Sequence, residues 1–275
     1  MFGIVFDMDG VIYRGDLPVE GAEETIEFIK KEGIPFLFLT NNSTKTPASY
    51  RKTLLSMGID VSEDRIVTSG VATRVYMKEH MEPGKIFVVG GRGLHEEMEK
   101  FGWGIVSIDD ARRGCWKDAK YVVVGLDPCL TYEKLKYAAL AIENGAEFIA
   151  TNPDTTYPAE DGFYPGAGAI AAALTAATGE EPLVIGKPNE PAYEVAVERL
   201  QGIDEVWMVG DRLDTDIAFA KRFRMKAIMV LTGVSTLEDL EKSKLRPDIV
   251  LPSVRELKGY IEAGWRKQND TQRTP

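Results

Sequence analysis

Cysteine and histidine are scarce in this chain. Its 275 residues contain only two of each: Cys115, Cys129, His80 and His95. Two cysteines cannot form the disulfide framework of a small secreted protein, and with so few Cys and His side chains a zinc site built from these residue types is not expected. Both cysteines are therefore interpreted as packing residues.

Clustered positive charge and long apolar runs are also missing. The chain has 33 Lys and Arg against 43 Asp and Glu, a formal net charge of -10. A nucleic-acid surface would need a clustered basic face, and no Lys/Arg run supplies one. No apolar run approaches the roughly 18 residues of a membrane span, and the first residues lack the basic-then-apolar pattern of an export signal. We expect a cytoplasmic protein that binds small molecules, neither nucleic acid nor membranes.

Apolar, strand-like runs alternate with helical patterns along almost the whole chain. This alternation is typical of an α/β fold, and continuous apolar strands indicate a doubly wound parallel sheet covered by helices on both faces. A hydrophobic content of 44% supports a substantial core. The predicted strands are 3–6, 35–39, 66–68, 86–89, 121–124, 148–150, 183–185, 206–209, 227–231 and 248–251.

Several helices between these strands have recognisable ends. Thr46-Pro47 is typical of a cap followed by a first-turn proline, and Gly58 follows the other end of that helix. The Ala-rich stretch 166–178 keeps Ile170 and Leu174 at helical spacing. We therefore expect a closely packed helix there rather than low-complexity sequence.

The number of strands predicts a second domain. About ten strands exceed what one ordinary open sheet holds. Pro- and Gly-containing stretches at 81–84 and 179–182 could serve as an outgoing and a returning hinge. We predict a discontinuous core domain, residues 1–80 and 183–275, interrupted by an inserted α/β domain, residues 81–182.

Two carboxylates stand one residue apart at the end of the first strand. Asp7 and Asp9 follow the apolar run 3–6, and Gly10 comes next. Because side chains along a strand repeat with period two, both carboxylates can point the same way. Their repulsion is tolerable if a cation lies between them, if one keeps its proton, or if both face water. The first two possibilities indicate a functional site, and the third indicates a solvent-exposed turn.

Three further predicted strands end in polar residues, at 38–43, 185–189 and 208–216. In an open parallel sheet, ligands bind in the crevice beyond the carboxyl ends of the strands, where such residues converge. Carboxylates bind a hard divalent cation, usually Mg²⁺ when phosphate is present, while lysine, hydroxyl and amide groups complement phosphate oxygens. This combination suggests phosphoryl transfer.

In order and spacing, these four segments resemble the haloacid dehalogenase superfamily. The resemblance rests on Asp7–Val11, Thr40–Asn42, Lys187-Pro188 and Gly210–Asp216. The inserted segment is similar to the large α/β cap of the NagD-like, or p-nitrophenyl phosphatase, branch. The resemblance implies a Rossmann-like core with an inserted cap, and a Mg²⁺-dependent phosphatase acting on small phosphomonoesters.

The resemblance also implies roles for the acidic residues. Asp7 would be the nucleophile that forms an aspartyl-phosphate, and Asp9 would be the general acid and base. Mg²⁺ would be bound by the side chains of Asp7 and Asp211 and by the backbone carbonyl of Asp9. Asp216 would orient these ligands or cap a helix.

The remaining implied roles concern the phosphate group. Thr40 would bind a phosphate oxygen through its hydroxyl, with Asn41 and Asn42 contributing amide donors. Lys187 would neutralise phosphate charge and orient Asp7. A capping turn at 40–43 and an exposed lysine are the plain alternatives.

Two loops of the inserted segment could face a substrate, 151–154 and 164–168. We expect Asn152 and Asp154 to read the leaving group, since an inserted domain can close over a cleft, although a role in the turn alone is equally compatible. Asp214 is interpreted as a solvated loop acid.

The glycine-rich stretch 90–93 does not fit a dinucleotide-binding motif. When Gly91 and Gly93 are taken as the first two glycines of that motif, Glu96 occupies the place of the third. A dinucleotide cofactor is therefore not expected from this stretch.

Other functions compete with the phosphatase. A phosphomutase or a dehalogenase shares the nucleophilic aspartate, although halide displacement would not need the acid Asp9. A signalling receiver module would be about half this length, with its nucleophile on an interior strand. A non-catalytic sugar-phosphate-binding protein is the alternative outside catalysis. Phosphoglycolate, pyridoxal phosphate, nucleotides and sugar phosphates all remain open as substrates, and so does a homo-oligomeric state.

Overall fold

The structure is a computed structural model, and it describes residues 1–159 and 161–271. Strands and helices alternate along the chain as predicted. The strands are β1 Phe2–Phe6, β2 Tyr13–Arg14, β3 Leu17–Pro18, β4 Phe36–Thr40, β5 Ile66–Thr68, β6 Lys85–Val89, β7 Ala119–Val124, β8 Glu147–Ala150, β9 Thr156–Ala159, β10 Gly162–Pro165, β11 Leu183–Val184, β12 Glu205–Gly210, β13 Lys226–Val230 and β14 Ile249–Leu251. The helices are α1 Ala22–Lys31, α2 Pro47–Ser56, α3 Ser69–His80, α4 Arg92–Glu99, α5 Ile108–Arg112, α6 Tyr132–Glu143, α7 Ala167–Thr178, α8 Glu190–Arg199, α9 Ala218–Arg222, α10 Leu237–Lys242 and α11 Arg255–Thr271.

The chain divides into two compact units. The first contains Met1–Leu39, Arg51–Arg65 and the described residues from Arg199 onward. The second contains Thr40–Tyr50 and Ile66–Glu198. The domain boundaries predicted from the sequence, 1–80 with 183–275 and 81–182, stay a prediction.

The first unit is built on a parallel sheet in which β14, β13, β12, β1 and β4 are neighbours in that order. β1 lies between β12 and β4, and Ile4, Val5 and Phe6 are completely buried. Covering both faces of a strand requires a continuous apolar run, which is what the sequence provides here. Each such side chain contributes about 2 kcal/mol by its burial.

The second unit has a parallel sheet of its own, with strand order β11-β8-β7-β6. Its hydrophobic core joins β6, β7 and β8 to α6 and α7. In α7, the residues predicted to keep helical spacing, Ile170 and Leu174, are buried. Small alanine side chains allow that helix to approach the sheet closely.

The ten predicted strands are all present, and the predicted α/β class with parallel sheets is confirmed. The cap of α2 is also confirmed, because the Thr46 hydroxyl accepts the backbone N–H of Ser49 at 3.2 Å. Two small antiparallel hairpins, β2 with β3 and β9 with β10, were not predicted. Over the residues that the structure describes, no helix is long and apolar enough to cross a membrane.

Helix α4 contains a partly buried histidine, His95. Burial lowers the pKa of His95 below its usual 6.5, and the nearby Lys134 ammonium lowers it further, while Asp127 and Glu99 act in the opposite direction. Lys134 itself donates to the Asp127 carboxylate at 2.7 Å. The folded protein therefore holds a proton on His95 less readily than the unfolded chain does.

We expect His95 to make the protein less stable in mild acid. Because the pKa in the folded state is lowered, the unfolded state binds more protons as the pH falls through about 6.5, and the free energy of unfolding decreases over that range. Urea unfolding of the wild type and His95→Gln between pH 8 and pH 5 would measure this. The stability difference between them should shift in favour of the variant below about pH 6.5. A difference that does not change with pH would contradict the prediction.

Candidate active site

Two neighbouring strands bring Asp7 and Asp211 together in the first unit. β1 and β12 are parallel and in register at Phe6 and Val209, and the Asp7 N–H donates to the Val209 carbonyl at 2.9 Å. Each aspartate follows the carboxyl end of its strand. One oxygen from each of Asp7, Asp211 and Asp216 lies within 4.8 Å of the others.

Burial alternates along the first motif, as the period-two interpretation predicts. Met8 is completely buried, whereas Asp7 is half-buried and Asp9 is exposed. The Met8 carbonyl accepts the backbone N–H groups of Ile12 at 2.8 Å and Tyr13 at 3.2 Å, which fixes the turn. That Asp7 and Asp9 point to the same side of the chain stays a prediction.

Asp216 organises the turn that carries Asp211. Its Oδ2 accepts the backbone N–H groups of Asp211 and Arg212, both at 3.1 Å, and its side chain is buried. A side chain on Gly210 would overlap the Asp216 carboxylate, so the strand must end in glycine here. These contacts support the predicted role of Asp216 in orienting Asp211.

A segment that the sequence argument did not use completes this cluster. It follows β13 and contains Thr232, Gly233 and Val234. The Val234 N–H donates to Asp211 Oδ2 at 2.6 Å, and the Thr232 hydroxyl donates to the Gly10 carbonyl at 2.6 Å. The available signal was a Thr-Gly pair after a predicted strand, at the same edge of the sheet.

Close approach of glycine backbone shapes the surroundings of Asp211. A Cβ on Gly10 would lie 2.7 Å from Asp211 Oδ2, and one on Gly233 would overlap the same carboxylate. Gly10 also has φ of 82°, a conformation that suits glycine. Two glycines therefore form a cradle around a carboxylate that is 1% exposed.

The electrostatics of this cluster favour a bound cation. Three carboxylates lie close together, and Asp211 and Asp216 are almost fully buried, so their mutual repulsion is poorly screened. Opposite oxygen ligands of Mg²⁺ are about 4 Å apart, given bonds of about 2.1 Å. Oxygens within 4.8 Å of one another fit a single ion of this kind. Both the donor chemistry and the glycine cradle are thus compatible with magnesium.

In the second unit, the carboxyl ends of the sheet carry small residues. The Thr151 N–H donates to the Val124 carbonyl, and the Gly186 N–H donates to the Thr151 carbonyl, both at 2.8 Å. A Cβ on Gly125 would lie 2.6 Å from the Ser43 hydroxyl oxygen, and one on Gly186 would lie 2.7 Å from Asn41 Oδ1. The segment after β4 therefore packs directly on these strand ends.

Thr40 and Asn42 begin this segment. Thr40 is buried, and its hydroxyl oxygen accepts the Asn42 N–H at 3.1 Å. The exposed Asn42 uses its side-chain oxygen to accept the N–H of Thr44 at 2.9 Å and the Thr44 hydroxyl at 2.7 Å. These bonds form a local turn, whereas the cap of the following helix is Thr46, and they leave the hydrogen of the Thr40 hydroxyl able to donate elsewhere.

Asn41 connects this segment to the loop that carries Lys187. Its Nδ2 donates to the Lys187 carbonyl at 3.0 Å and to Asp154 Oδ2 at 3.1 Å. Asp154 Oδ2 also accepts from Asn152 Nδ2 at 2.8 Å. Lys187 is only 1% exposed, so its ammonium is a buried charge and not a surface lysine.

The glycine-rich stretch before α4 serves packing. The Gly93 N–H donates to the Thr44 carbonyl at 3.0 Å, and a Cβ on Gly93 would lie 2.6–2.7 Å from backbone atoms of Lys45. Only glycine allows the helix to approach the 43–45 segment this closely. This packing accounts for Gly93 without a dinucleotide ligand.

The predicted residues thus fall into two groups, one in each unit. Asp7, Asp211 and Asp216 form the first, with the exposed Asp9 beside Asp7 but outside the carboxylate cluster. Hydrogen bonds join the second group, which consists of Asn41, Lys187, Asn152 and Asp154. Asp214 is an exposed acid paired with Arg212 at 2.8 Å, as expected.

Two family models match stretches of the chain that contain residues of both groups. A model described as haloacid dehalogenase-like hydrolase matches residues 4–104, and a second, HAD-hydrolase-like, matches residues 184–257. An acid sugar phosphatase of Staphylococcus aureus (strain MRSA252) is 40% identical over 260 residues, which cover 94% of this chain and 97% of that protein. The chain belongs to the haloacid dehalogenase-like hydrolases.

Solved structures of similar proteins agree with this assignment. A hypothetical protein from Pyrococcus horikoshii OT3 has a TM-score of 0.93 and 67% identity, and the match covers 95% of this chain and 100% of that one. NagD from E. coli K-12 has a TM-score of 0.82 and 33% identity, with coverage of 92% and 97%. The predicted NagD-like branch and the prediction of a HAD-type phosphatase are confirmed.

The two family matches contain most of the candidate site of this haloacid dehalogenase-like hydrolase. The first includes Asp7 and Thr40, and the second includes Lys187 and Asp211. Residues 105–183 lie between the matched stretches. Asn152 and Asp154 are therefore the predicted site residues for which the family models offer no support, and their contacts must be interpreted from the structure.

Proposed function

We propose that the chain is a Mg²⁺-dependent phosphatase that hydrolyses small phosphomonoesters through an aspartyl-phosphate on Asp7. The observation that carries the proposal is the clustering of Asp7, Asp211 and Asp216 oxygens within 4.8 Å at the ends of two adjacent parallel strands. Such a cluster is costly without a cation and suits a divalent one. Membership of a hydrolase family with relatives named as phosphatases supports the same chemistry.

In the first step, a carboxylate oxygen of Asp7 attacks phosphorus and forms an acyl phosphate as the bond from phosphorus to the ester oxygen breaks. Asp9 donates its proton to the departing alkoxide. In the second step, Asp9 takes a proton from water, the water oxygen attacks phosphorus, and Asp7 is released. The proton that Asp9 takes from water returns it to its starting form for the next turnover.

Mg²⁺ would be held by the side chains of Asp7 and Asp211 and by the backbone carbonyl of Asp9, and when bound it would screen negative charge between Asp7 and the phosphate. Asp216 keeps Asp211 in place by accepting hydrogen bonds from the backbone N–H groups of Asp211 and Arg212. The contact of Val234 with Asp211 serves the same purpose from the opposite segment.

Thr40 and Lys187 are proposed to bind the phosphate oxygens. The Thr40 hydroxyl oxygen already accepts the Asn42 N–H, so its hydrogen is directed toward a further acceptor. A buried ammonium at Lys187 would offset phosphate charge in a poorly screened environment. Asn42 could add an amide donor at the exposed side of the turn.

The substrate class is proposed from the relatives. An acid sugar phosphatase that is 40% identical along nearly the whole chain favours sugar phosphates. Phosphoglycolate, pyridoxal phosphate and nucleotides are retained as alternatives. A cytoplasmic location is part of the proposal, because small phosphorylated metabolites are found there and the cysteine content does not indicate a secreted scaffold.

Phosphate release by the purified protein tests the proposal directly. With Mg²⁺, we expect release from p-nitrophenyl phosphate and, faster, from at least one sugar phosphate in a metabolite panel. Addition of excess chelator should abolish the activity, and restored Mg²⁺ should recover it. If no phosphomonoester is hydrolysed by folded protein in the presence of Mg²⁺, the proposed function is wrong. Binding of a sugar phosphate without turnover would support the non-catalytic alternative.

A further inference from the structure

We propose that Asn41 is a positioning residue, which Asp154 holds in place and which fixes the loop carrying Lys187. The sequence suggested instead that Asn41 donates its side-chain amide to phosphate, and that Asp154 reads the leaving group. This inference rests on the proposed phosphatase function only for its kinetic test, because its structural basis is a set of hydrogen bonds within the second unit.

The donors of Asn41 are already engaged. A carboxamide has two N–H donors, and those of Asn41 are directed to the Lys187 carbonyl at 3.0 Å and to Asp154 Oδ2 at 3.1 Å. The Lys187 carbonyl oxygen can accept hydrogen bonds but cannot donate them, and the same is true of Asp154 Oδ2 when Asp154 is ionised. Rotating the amide would place its oxygen against two other oxygens, so the orientation is determined. Donating this amide to a phosphate would break one of the two bonds.

The partner carboxylate is itself held in place. Asp154 Oδ2 accepts from Asn152 Nδ2 at 2.8 Å, and the Thr151 hydroxyl donates to Asn152 Oδ1 at 2.9 Å. Thr151 is completely buried, and Asn152 is 5% exposed. A buried side chain committed to such a chain of hydrogen bonds is poorly suited to reading a variable leaving group.

The backbone of Asn41 is fixed as well. Its carbonyl accepts the hydroxyl of the buried Ser69 at 2.6 Å. The side chain then reaches the main chain of Lys187, which is 146 positions away in the sequence. Asn41 therefore links the segment that begins with Thr40 to the loop of Lys187. A displacement of Asn41 would shift both proposed phosphate ligands, Thr40 and Lys187.

Exchanging the side chains of Asn41 and Asp154 tests this inference. Asn41→Asp alone would place a carboxylate against Asp154 and the Lys187 carbonyl, and we expect kcat/KM to fall by about 10²-fold. Asp154→Asn alone, which keeps shape but weakens the bond, should cause a loss of about tenfold. In the double variant Asn41→Asp, Asp154→Asn, the new amide can donate to the new carboxylate, so activity should recover by about tenfold relative to Asn41→Asp.

The alternative predicts the opposite result for the double variant. If the Asn41 amide bound phosphate directly, a carboxylate at that position would repel the substrate, whatever stands at position 154. KM would then rise in both variants that contain Asn41→Asp, and no recovery would be seen. Such a result would overturn the inference. Asn144→Asp, at the exposed end of α6, is the matched control and should keep wild-type kinetics.

Urea unfolding of the wild type, the two single variants and the double variant provides a readout that does not depend on catalysis. The unfolding midpoint should fall in each single variant and should recover in part in the double variant, because the bond between the two side chains is restored while the bond to the Lys187 carbonyl is not. Wild-type protein that is folded but hydrolyses nothing would contradict the proposed function alone. Additive changes in the midpoint, without recovery, would contradict the role of Asn41 even if the wild type were an active phosphatase.

Discussion

Asp7→Asn is expected to reduce phosphate release from p-nitrophenyl phosphate by at least about 10³-fold, because an amide oxygen cannot replace the carboxylate nucleophile. The change keeps the shape of the side chain, and the backbone N–H of residue 7 can still donate to the Val209 carbonyl. The loss should appear in kcat, since the groups proposed to bind phosphate are unchanged. Initial rates at saturating Mg²⁺ and substrate would measure it.

A covalent intermediate gives this prediction a second readout. Acid-quenched wild-type enzyme should carry one phosphoryl group, detected by mass spectrometry of the intact protein, and Asp7→Asn should carry none. Asp16→Asn, at an exposed turn between β2 and β3, is a matched control and should retain wild-type activity. Its folded state and that of Asp7→Asn can be compared by thermal unfolding. A folded Asp7→Asn protein with wild-type turnover would exclude Asp7 as the nucleophile.

The sequence was almost sufficient to place Asp7 beside Asp211. Both follow buried apolar runs, and parallel strands with continuous apolar sequence meet at one edge of their sheet. Only one further fact was needed, that β1 and β12 are neighbours, and the structure supplies it through the register of Phe6 with Val209. The α/β class could be predicted for the same reason, since strand and helix patterns alternate clearly.

The role of the segment after β13 could not be predicted in this way. Gly233 and Val234 contribute a close backbone approach and an N–H group, and every residue type except proline has that N–H. Their position depends on β13 pairing with β12 at Met229 and Gly210. Such register is a tertiary property, which a list of polar side chains does not contain.

The hairpin formed by β9 and β10 was missed for a different reason. Pro158 and Pro165 occur in its two strands, and proline within an apolar run argues against a strand. Among the described residues this sheet has two strands, so each strand has an outer edge where a missing N–H is tolerated. The sequence was also insufficient at Asn41. It identified the side-chain amide as a hydrogen-bond donor, but it could not show that both amide hydrogens were already engaged.

Gly233→Ala is expected to raise the Mg²⁺ concentration for half-maximal activity by about 10- to 100-fold, the range found when residues supporting metal ligands are changed. A Cβ at this position would overlap the Asp211 carboxylate, far inside the 3.0 Å that real Cβ contacts respect. Asp211 is 1% exposed and cannot swing into solvent, so the carboxylate or the backbone of the segment must move. Either movement disturbs the hydrogen bond from Val234.

The same substitution at Gly259 separates a local effect from a general one. Gly259 lies exposed in α11, and a Cβ there would meet no atom within 4 Å. Gly259→Ala should leave the Mg²⁺ dependence unchanged and stabilise the helix by about 0.5–1 kcal/mol. If Gly233→Ala instead lowered thermal stability while Mg²⁺ titrations matched the wild type, the segment after β13 would support the fold but not the metal ligand. A displaced Asp211 must weaken Mg²⁺ binding, because its carboxylate is proposed as one of only two side-chain ligands.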